Sequence, residues 1–203
     1  MRLAADTVKE VTLELGGKSP TIICDDAELE VAVDGALFGT FFHAGQVCES
    51  GTSCFVPDTL YGTFMERLLE RVTHIRVGDT ADYETTMGPV VSAAQQRRVL
   101  GYIEKGKQEG ARLLCGGGRP DHPRKGWFVQ PTIFEEVPKS AAIAREEILG
   151  PVLAVIRYRS LDDAIEMAND SIYDLGGAVF SRDIPKAIAV AKRLRTGTVW
   201  VND

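Results

Sequence analysis

Apolar residues along the chain alternate between helical spacing and short, β-branched runs. Helical spacing predicts amphipathic helices at residues 28–44, 58–72, 92–108, 161–168 and 184–194. Compact apolar runs predict strands at residues 11–15, 53–56, 111–115, 152–158, 177–180 and 198–201. Strands that alternate with helices in this way indicate right-handed βαβ units. We therefore predict an α/β fold with three layers, αβα, in which helices cover both faces of a mainly parallel sheet.

Polar residues and glycines mark the predicted boundaries of the helices. Gly45 should end the first helix, while Asp58 and Ser92 should cap the amino ends of the second and third. Residues 116–126 combine glycines with two prolines and have low hydrophobicity, which predicts a surface loop.

Composition and charge narrow the class of protein. The chain has 203 residues, of which 44% are hydrophobic, and this is enough for a sizeable core. Its net charge is −6 and its basic residues are scattered, so we predict no binding to nucleic acid. The longest apolar stretch, residues 36–44, is far shorter than the roughly 20 residues that cross a membrane. Without a signal-peptide core at its start, the chain is predicted to be cytoplasmic.

The four cysteines point to reduced thiols rather than to a disulfide scaffold. A chain of this size has enough hydrophobic core to be stable without disulfide bonds, and none of its cysteines forms a C-x-x-C pair. The three histidines are too scattered for a zinc site, so we predict no structural metal. Cys24, Cys54 and Cys115 have no glycines around them and are expected to lie in the core.

Two short blocks carry the strongest chemical signal. Residues 13–20 place Glu14 just before two glycines, and residues 45–52 place Cys48 between glycines. Glycines let backbone amides approach a ligand closely. A thiol nucleophile and a carboxylate base are the groups needed for covalent reaction on sulfur followed by attack of water. Burial of Glu14 between Leu13 and Leu15 would make it a stronger base.

Two glycine-containing stretches fail as nucleotide-binding motifs. A P-loop ending in Gly17-Lys18-Ser19 requires a glycine five positions before Gly17, where the chain has Thr12. Residues 116–118 lack the spacing of a dinucleotide fingerprint. The sequence therefore contains no self-sufficient nucleotide-binding motif.

Together with residues 146–152 and 197–202, these two blocks resemble, in order, the signatures of the aldehyde dehydrogenase superfamily. The resemblance implies that Cys48 attacks a small aldehyde to give a thiohemiacetal, which loses hydride to NAD or NADP and becomes a thioester. It also implies that Glu14 activates water against this thioester.

The same resemblance assigns a cofactor role to residues 146–152. Glu147 corresponds to the carboxylate that accepts hydrogen bonds from the nicotinamide ribose. Leu149 stands near the nicotinamide, where the family usually has phenylalanine, and Ser53 stands where it usually has arginine.

The resemblance also predicts the domain organisation. Residues 1–17 would be a remnant of the cofactor-binding domain and residues 18–203 the catalytic domain. The Rossmann-like domain and the C-terminal tail would lie outside this chain, and such a fragment would show little turnover alone. Full-length family members are homodimers or homotetramers.

Two other functions remain open at this point. One is a cysteine-dependent esterase or acyl hydrolase, in which His43 is the histidine nearest Cys48 in sequence. The other is a non-catalytic, structural member of the fold. The presence of Glu14 favours hydrolysis of the thioester over its transfer to coenzyme A.

Overall fold

A computed structural model describes residues 1–123 and 125–203. It contains one seven-stranded sheet in the spatial order β3-β4-β5-β2-β1-β6-β7. The strands, in chain order β1 to β7, are Pro20–Ile23, Ser53–Pro57, Arg112–Cys115, Thr132–Glu135, Val152–Tyr158, Gly176–Phe180 and Thr198–Val201. Six of these strands run parallel, and β3 pairs antiparallel with β4 at one edge.

In the part of the chain that the structure describes, seven α-helices connect or flank these strands. In chain order, α1 to α7 are Arg2–Ala5, Leu29–Phe41, Tyr61–Val72, Ala93–Gln108, Ala142–Arg145, Leu161–Asn169 and Ile184–Ala191. Ser92 caps α4 by accepting a hydrogen bond from the Gln95 N–H, as predicted. No helix in the described residues is long and apolar enough to cross a membrane.

Two hydrophobic cores lie on opposite faces of the sheet. Alternate strand residues point to opposite faces, so Ile22 belongs to one core and its neighbour Ile23 to the other. Residues of α4, α6 and α7 pack into the first core, and residues of α2 and α3 into the second. The predicted three-layer αβα fold is therefore confirmed.

Two boundary predictions are wrong for local reasons. Asp58 does not cap α3, because its N–H bonds to the Tyr158 carbonyl and its side chain pairs with Arg157. The first long helix ends before Gly45, at Phe41, and a turn with positive φ angles at residues 43–45 follows it.

The predicted strand at residues 11–15 is also wrong. These residues form neither helix nor strand, and all five are exposed. The apolar pattern there has no partner strand among the described residues, and strands are stable only when paired. The central strand β1 instead begins at Pro20, in a segment for which no strand was predicted.

Candidate active site

The three segments singled out in the sequence precede three neighbouring strands. Gly17 lies before β1, Cys48 before β2 and Glu147 before β5. Because β5, β2 and β1 are adjacent and parallel, their amino ends lie along the same edge of the sheet. The topology thus brings together segments that are far apart in sequence.

Close backbone packing connects these segments. The Gly17 N–H donates a 3.0 Å hydrogen bond to Oε1 of Glu147. A Cβ atom on Gly16 would lie 2.6 Å from Oε2 of that carboxylate, and a Cβ atom on Gly17 would overlap the carbonyl oxygen of Cys48. A side chain at Gly17 would displace the backbone of the Cys48 segment, whereas one at Gly16 would displace only the carboxylate end of the Glu147 side chain.

A left-handed turn connects α2 to the segment that contains Cys48. His43, Ala44 and Gly45 have consecutive positive φ angles of 50°, 55° and 72°. A side chain on Gly45 would overlap the carbonyl oxygen of Gly150, so the turn packs directly against the segment that follows Glu147. Positive φ is costly for residues other than glycine, and such strain is concentrated at functional sites.

Two side chains of α4 hold the segment around Glu147. Arg98 donates to the carbonyl of Glu147 at 2.7 Å. The Gln95 amide donates to the carbonyls of Ile148 and Leu149 at 2.9 Å and 2.7 Å, and Leu149 has a φ of 54°. These anchors were not predicted, because nothing in the helical pattern of α4 distinguishes them from surface residues.

The four cysteines are free and differ in their surroundings. Cys48 is exposed, whereas Cys24 and Cys54 are buried and Cys115 is partly buried. Burial raises the pKa of Cys24 to about 11 and also raises the pKa of Cys54 and Cys115. The predicted core location is confirmed for Cys24 and Cys54, and Cys48 is the accessible thiol.

The expected burial of Glu14 is wrong for this chain. Glu14 is exposed, and its neighbours Leu13 and Leu15 are 51% and 63% exposed. No element packs over this segment, because the strand predicted there does not form. Glu14 nevertheless lies only three residues before Gly17, whose N–H donates to the Glu147 carboxylate.

His43 shows no sign of acting as a base for the thiol. It is exposed, and its ring packs edge-on against Phe42 with a centroid distance of 4.1 Å. Within the described residues no hydrogen bond connects His43 to Cys48. The described residues therefore give no support for the thiol–histidine pair on which cysteine hydrolases depend.

Lys18 adds a buried charge that the sequence did not reveal. Only 5% of the residue is exposed, and its Nζ has no hydrogen-bond partner in the described structure. Burial lowers the pKa of Lys18 to about 7, while the nearby carboxylates of Glu147 and Glu146 act in the opposite direction. A buried, unpartnered donor of this kind is rare in native structures.

The residues fit one part of a dinucleotide site. Glu147 is half-buried and accepts one hydrogen bond from Gly17, so its carboxylate keeps acceptor capacity for two vicinal hydroxyls. Leu149 lies beside it as a half-buried apolar residue. In residues 1–123 and 125–203 no cluster of histidine, cysteine or acidic residues could hold a metal.

Comparison with known proteins shows extensive similarity. The chain is 48% identical over 204 aligned residues to the betaine aldehyde dehydrogenases of Brucella ovis and Brucella suis, covering all of this chain and 42% of each relative. The NAD+ complex of betaine aldehyde dehydrogenase from Staphylococcus aureus matches with a TM-score of 0.95 and 46% identity, over 41% of its length. The NAD+ complex of an aldehyde dehydrogenase from Bacillus cereus matches with a TM-score of 0.95 and 45% identity, also over 41% of its length.

The chain thus spans about 42% of the length of the curated relatives that it matches. The match to the model of the aldehyde dehydrogenase family nevertheless extends over residues 1–203. This chain belongs to the aldehyde dehydrogenase family.

Proposed function

We propose that this chain carries the catalytic centre of an NAD(P)+-dependent aldehyde dehydrogenase that oxidises a small aldehyde to a carboxylic acid. The convergence of Gly17, Cys48 and Glu147 at one sheet edge is the observation that carries the proposal. It joins an accessible thiol to a carboxylate with free acceptor capacity. The family match and the name of the relatives support the same reaction.

Cys48 is the proposed nucleophile. After the thiol loses its proton to solvent, a bond forms between Sγ and the carbonyl carbon, the carbonyl π bond breaks, and the carbonyl oxygen becomes an oxyanion. The carbon–hydrogen bond then breaks and the hydride leaves with both electrons, so the oxyanion collapses to the carbonyl of a thioester. NAD(P)+, when bound, supplies the hydride acceptor.

Glu14 is the proposed base for the second half of the reaction. It accepts a proton from water as the water oxygen attacks the thioester carbon. The carbon–sulfur bond breaks, the thiolate of Cys48 is restored and the carboxylic acid leaves. Because Glu14 is exposed here, this role requires the carboxylate to be covered when the substrate site is complete.

Glu147 and Leu149 are the proposed cofactor contacts. The Glu147 carboxylate would accept hydrogen bonds from the two ribose hydroxyls next to the nicotinamide. Leu149 would offer an apolar surface to the ring. The NAD+ complexes of the matched structures support NAD+ as the first cofactor to assay, with NADP+ as the alternative.

The domain and partner predictions continue as part of this proposal. Residues 1–17 would belong to the cofactor domain and residues 18–203 to the catalytic domain. The full-length protein would act on a small aldehyde as a homodimer or homotetramer. The free cysteines support a reducing, cytoplasmic location.

The test is a single-turnover assay of the natural protein that carries this chain, with NAD+ and betaine aldehyde. We expect Glu14→Gln to form about one NADH per site and then stall, because the thioester accumulates. Its steady rate should fall by about 100-fold or more. Cys48→Ala should form no NADH, whereas the control Cys115→Ala should keep both phases. NADH formation by Cys48→Ala at the wild-type rate would overturn the proposal.

A further inference from the structure

The buried ammonium of Lys18 has no part in the reaction proposed above. The residue lies two positions before β1, only 5% of it is exposed, and its Nζ forms no hydrogen bond in the described structure. Removing an unpaired ammonium from water is unfavourable, so a charge at this depth has to be balanced by a neighbouring charge of opposite sign.

The carboxylate of Glu147 lies beside this ammonium. Its Oε1 accepts a 3.0 Å hydrogen bond from the Gly17 N–H, and its Oε2 lies 2.6 Å from the position that a Cβ of Gly16 would occupy. These contacts place the carboxylate against the two residues that immediately precede Lys18. Glu147 is half-buried, so one side of its carboxylate stays open to a ligand.

The other acid near Lys18, Glu146, already has partners. It is exposed and accepts hydrogen bonds from the Tyr102 hydroxyl at 2.7 Å and from the Lys105 ammonium at 3.4 Å. Within residues 1–123 and 125–203, no cationic side chain bonds to the carboxylate of Glu147. Glu147 and Lys18 are therefore neighbouring charges of opposite sign, and neither has another ionic partner there.

Other charged or titratable groups lie on the segments around Lys18. They are Arg98 on α4, Cys48 and Glu49 before β2, and Asp174 before β6. Arg98 donates to the backbone carbonyl of Glu147 and leaves its carboxylate free. The charges that act on the Lys18 ammonium are those of Glu147 and Glu146, and both favour its protonated form.

Binding of a ligand to the open side of Glu147 would strengthen its attraction to Lys18. The ligand displaces water from the carboxylate, which lowers the local dielectric and increases the Coulomb energy of the pair. Lys18 is already buried, so its own hydration does not change when the ligand binds. The charged form of Lys18 therefore stabilises the ligand-bound state more than the free state.

From this arrangement we infer that Lys18 is a positioning residue for cofactor binding, whose ammonium holds the ionised Glu147 carboxylate in place while the nicotinamide ribose binds to it. This inference rests on the proposed function, in which Glu147 accepts hydrogen bonds from that ribose. Burial lowers the pKa of Lys18 to about 7, so the ammonium is present at pH 6 and mostly lost at pH 9. The contribution of Lys18 to cofactor affinity should be lost over the same range.

The test is a fluorescence titration of the natural protein that carries this chain with NADH, whose nicotinamide ring is uncharged. At pH 6 we expect the wild type to bind NADH about tenfold more tightly than Lys18→Met, and at pH 9 we expect the two to bind equally. Titration of any other group is common to both proteins and cancels in this comparison. The control Lys192→Met alters an exposed lysine and should bind as the wild type does at both pH values.

A double-mutant cycle with Glu147→Gln tests whether Lys18 acts through Glu147. We expect Glu147→Gln to weaken NADH binding, and Lys18→Met to have no further effect in that background. Circular dichroism establishes that each variant is folded.

The outcomes separate this inference from the proposed function. If Glu147→Gln binds NADH as tightly as the wild type, the cofactor role of Glu147 fails and the role of Lys18 fails with it. If Glu147→Gln weakens binding but Lys18→Met does not, the proposed function stands and Lys18 has no positioning role. A loss in Lys18→Met that is equal at pH 6 and pH 9, or that persists in the Glu147→Gln background, would also overturn the inference.

Discussion

At the scale of single residues, burial of the Lys18 ammonium lowers the free energy of unfolding by an amount that depends on pH. The pKa of Lys18 falls from 10.5 to about 7 because the ammonium is buried. Well below pH 7 the residue is charged in both states, and the folded state is destabilised by the full penalty of burying the ammonium. Between pH 7 and 10.5 the unfolded chain binds more protons than the folded one, so the free energy of unfolding rises with pH.

We therefore expect Lys18→Met to be more stable than the wild type at pH 7, and this advantage to shrink as the pH approaches 10.5. At about 1.36 kcal/mol per pKa unit, the difference approaches 5 kcal/mol as an upper limit. Urea unfolding at a series of pH values measures it. The control Lys192→Met alters an exposed lysine and should show no such trend. A constant difference between Lys18→Met and wild type would contradict the expectation.

Sequence patterns identified those candidate site residues that lie in distinctive local motifs. Cys48 and Glu147 lie in distinctive blocks, and the structure brings those blocks together. The burial of Lys18 was not predicted, because a lysine next to glycines is expected to be exposed to solvent. Its burial becomes evident only when the position of the following strand is known. The burial predicted for Glu14 failed for the related reason that burial depends on what packs above a segment. The roles of Cys48, Glu14 and Glu147 stay predictions.

At the scale of elements, α4 fixes the segment before β5. Gln95 satisfies two carbonyls next to Leu149, which has a positive φ. We expect Gln95→Ala to lower the free energy of unfolding by about 2 kcal/mol, since two carbonyls lose a protein donor. If Glu147 binds the ribose, the affinity of the natural protein for NAD+ should also fall.

The matched control is Gln108→Ala, the same substitution at an exposed position at the other end of the helix. Chemical denaturation and NAD+ titration separate the two effects. If both variants lose the same stability, the hydrogen bonds of Gln95 do not hold this segment. Unchanged NAD+ affinity with lower stability would restrict its role to folding.

The long helices and five of the seven strands were predictable, whereas the short strands β1 and β4 were not. The helical periodicity extends along the whole of α4, and β-branched residues occur throughout β5. The local sequence pattern is therefore sufficient to predict both elements. β1 begins with a proline and β4 follows one, and each has only four residues, so neither carries much local signal. Their place in the sheet comes from pairing with β2 and β5, and such contacts are not visible in local spacing.

At the scale of the whole molecule, residues 1–15 lie outside both cores. None of them is buried, and their hydrogen bonds stay within the segment. Gly17, by contrast, bonds to Glu147, and β1 lies between β2 and β6. The unit that folds cooperatively should therefore begin close to residue 16, near the proposed boundary between the two domains.

Deletion of residues 1–15 should accordingly change the free energy of unfolding by less than about 1 kcal/mol, because no packed contact is lost. Deletion of residues 1–23 removes β1 from the centre of the sheet and should abolish cooperative unfolding. Thermal and urea denaturation of the two truncated chains measure both effects. If the shorter deletion costs several kcal/mol, residues 1–15 contribute to the fold through contacts that this structure lacks, and the boundary near residue 17 must move toward the amino terminus.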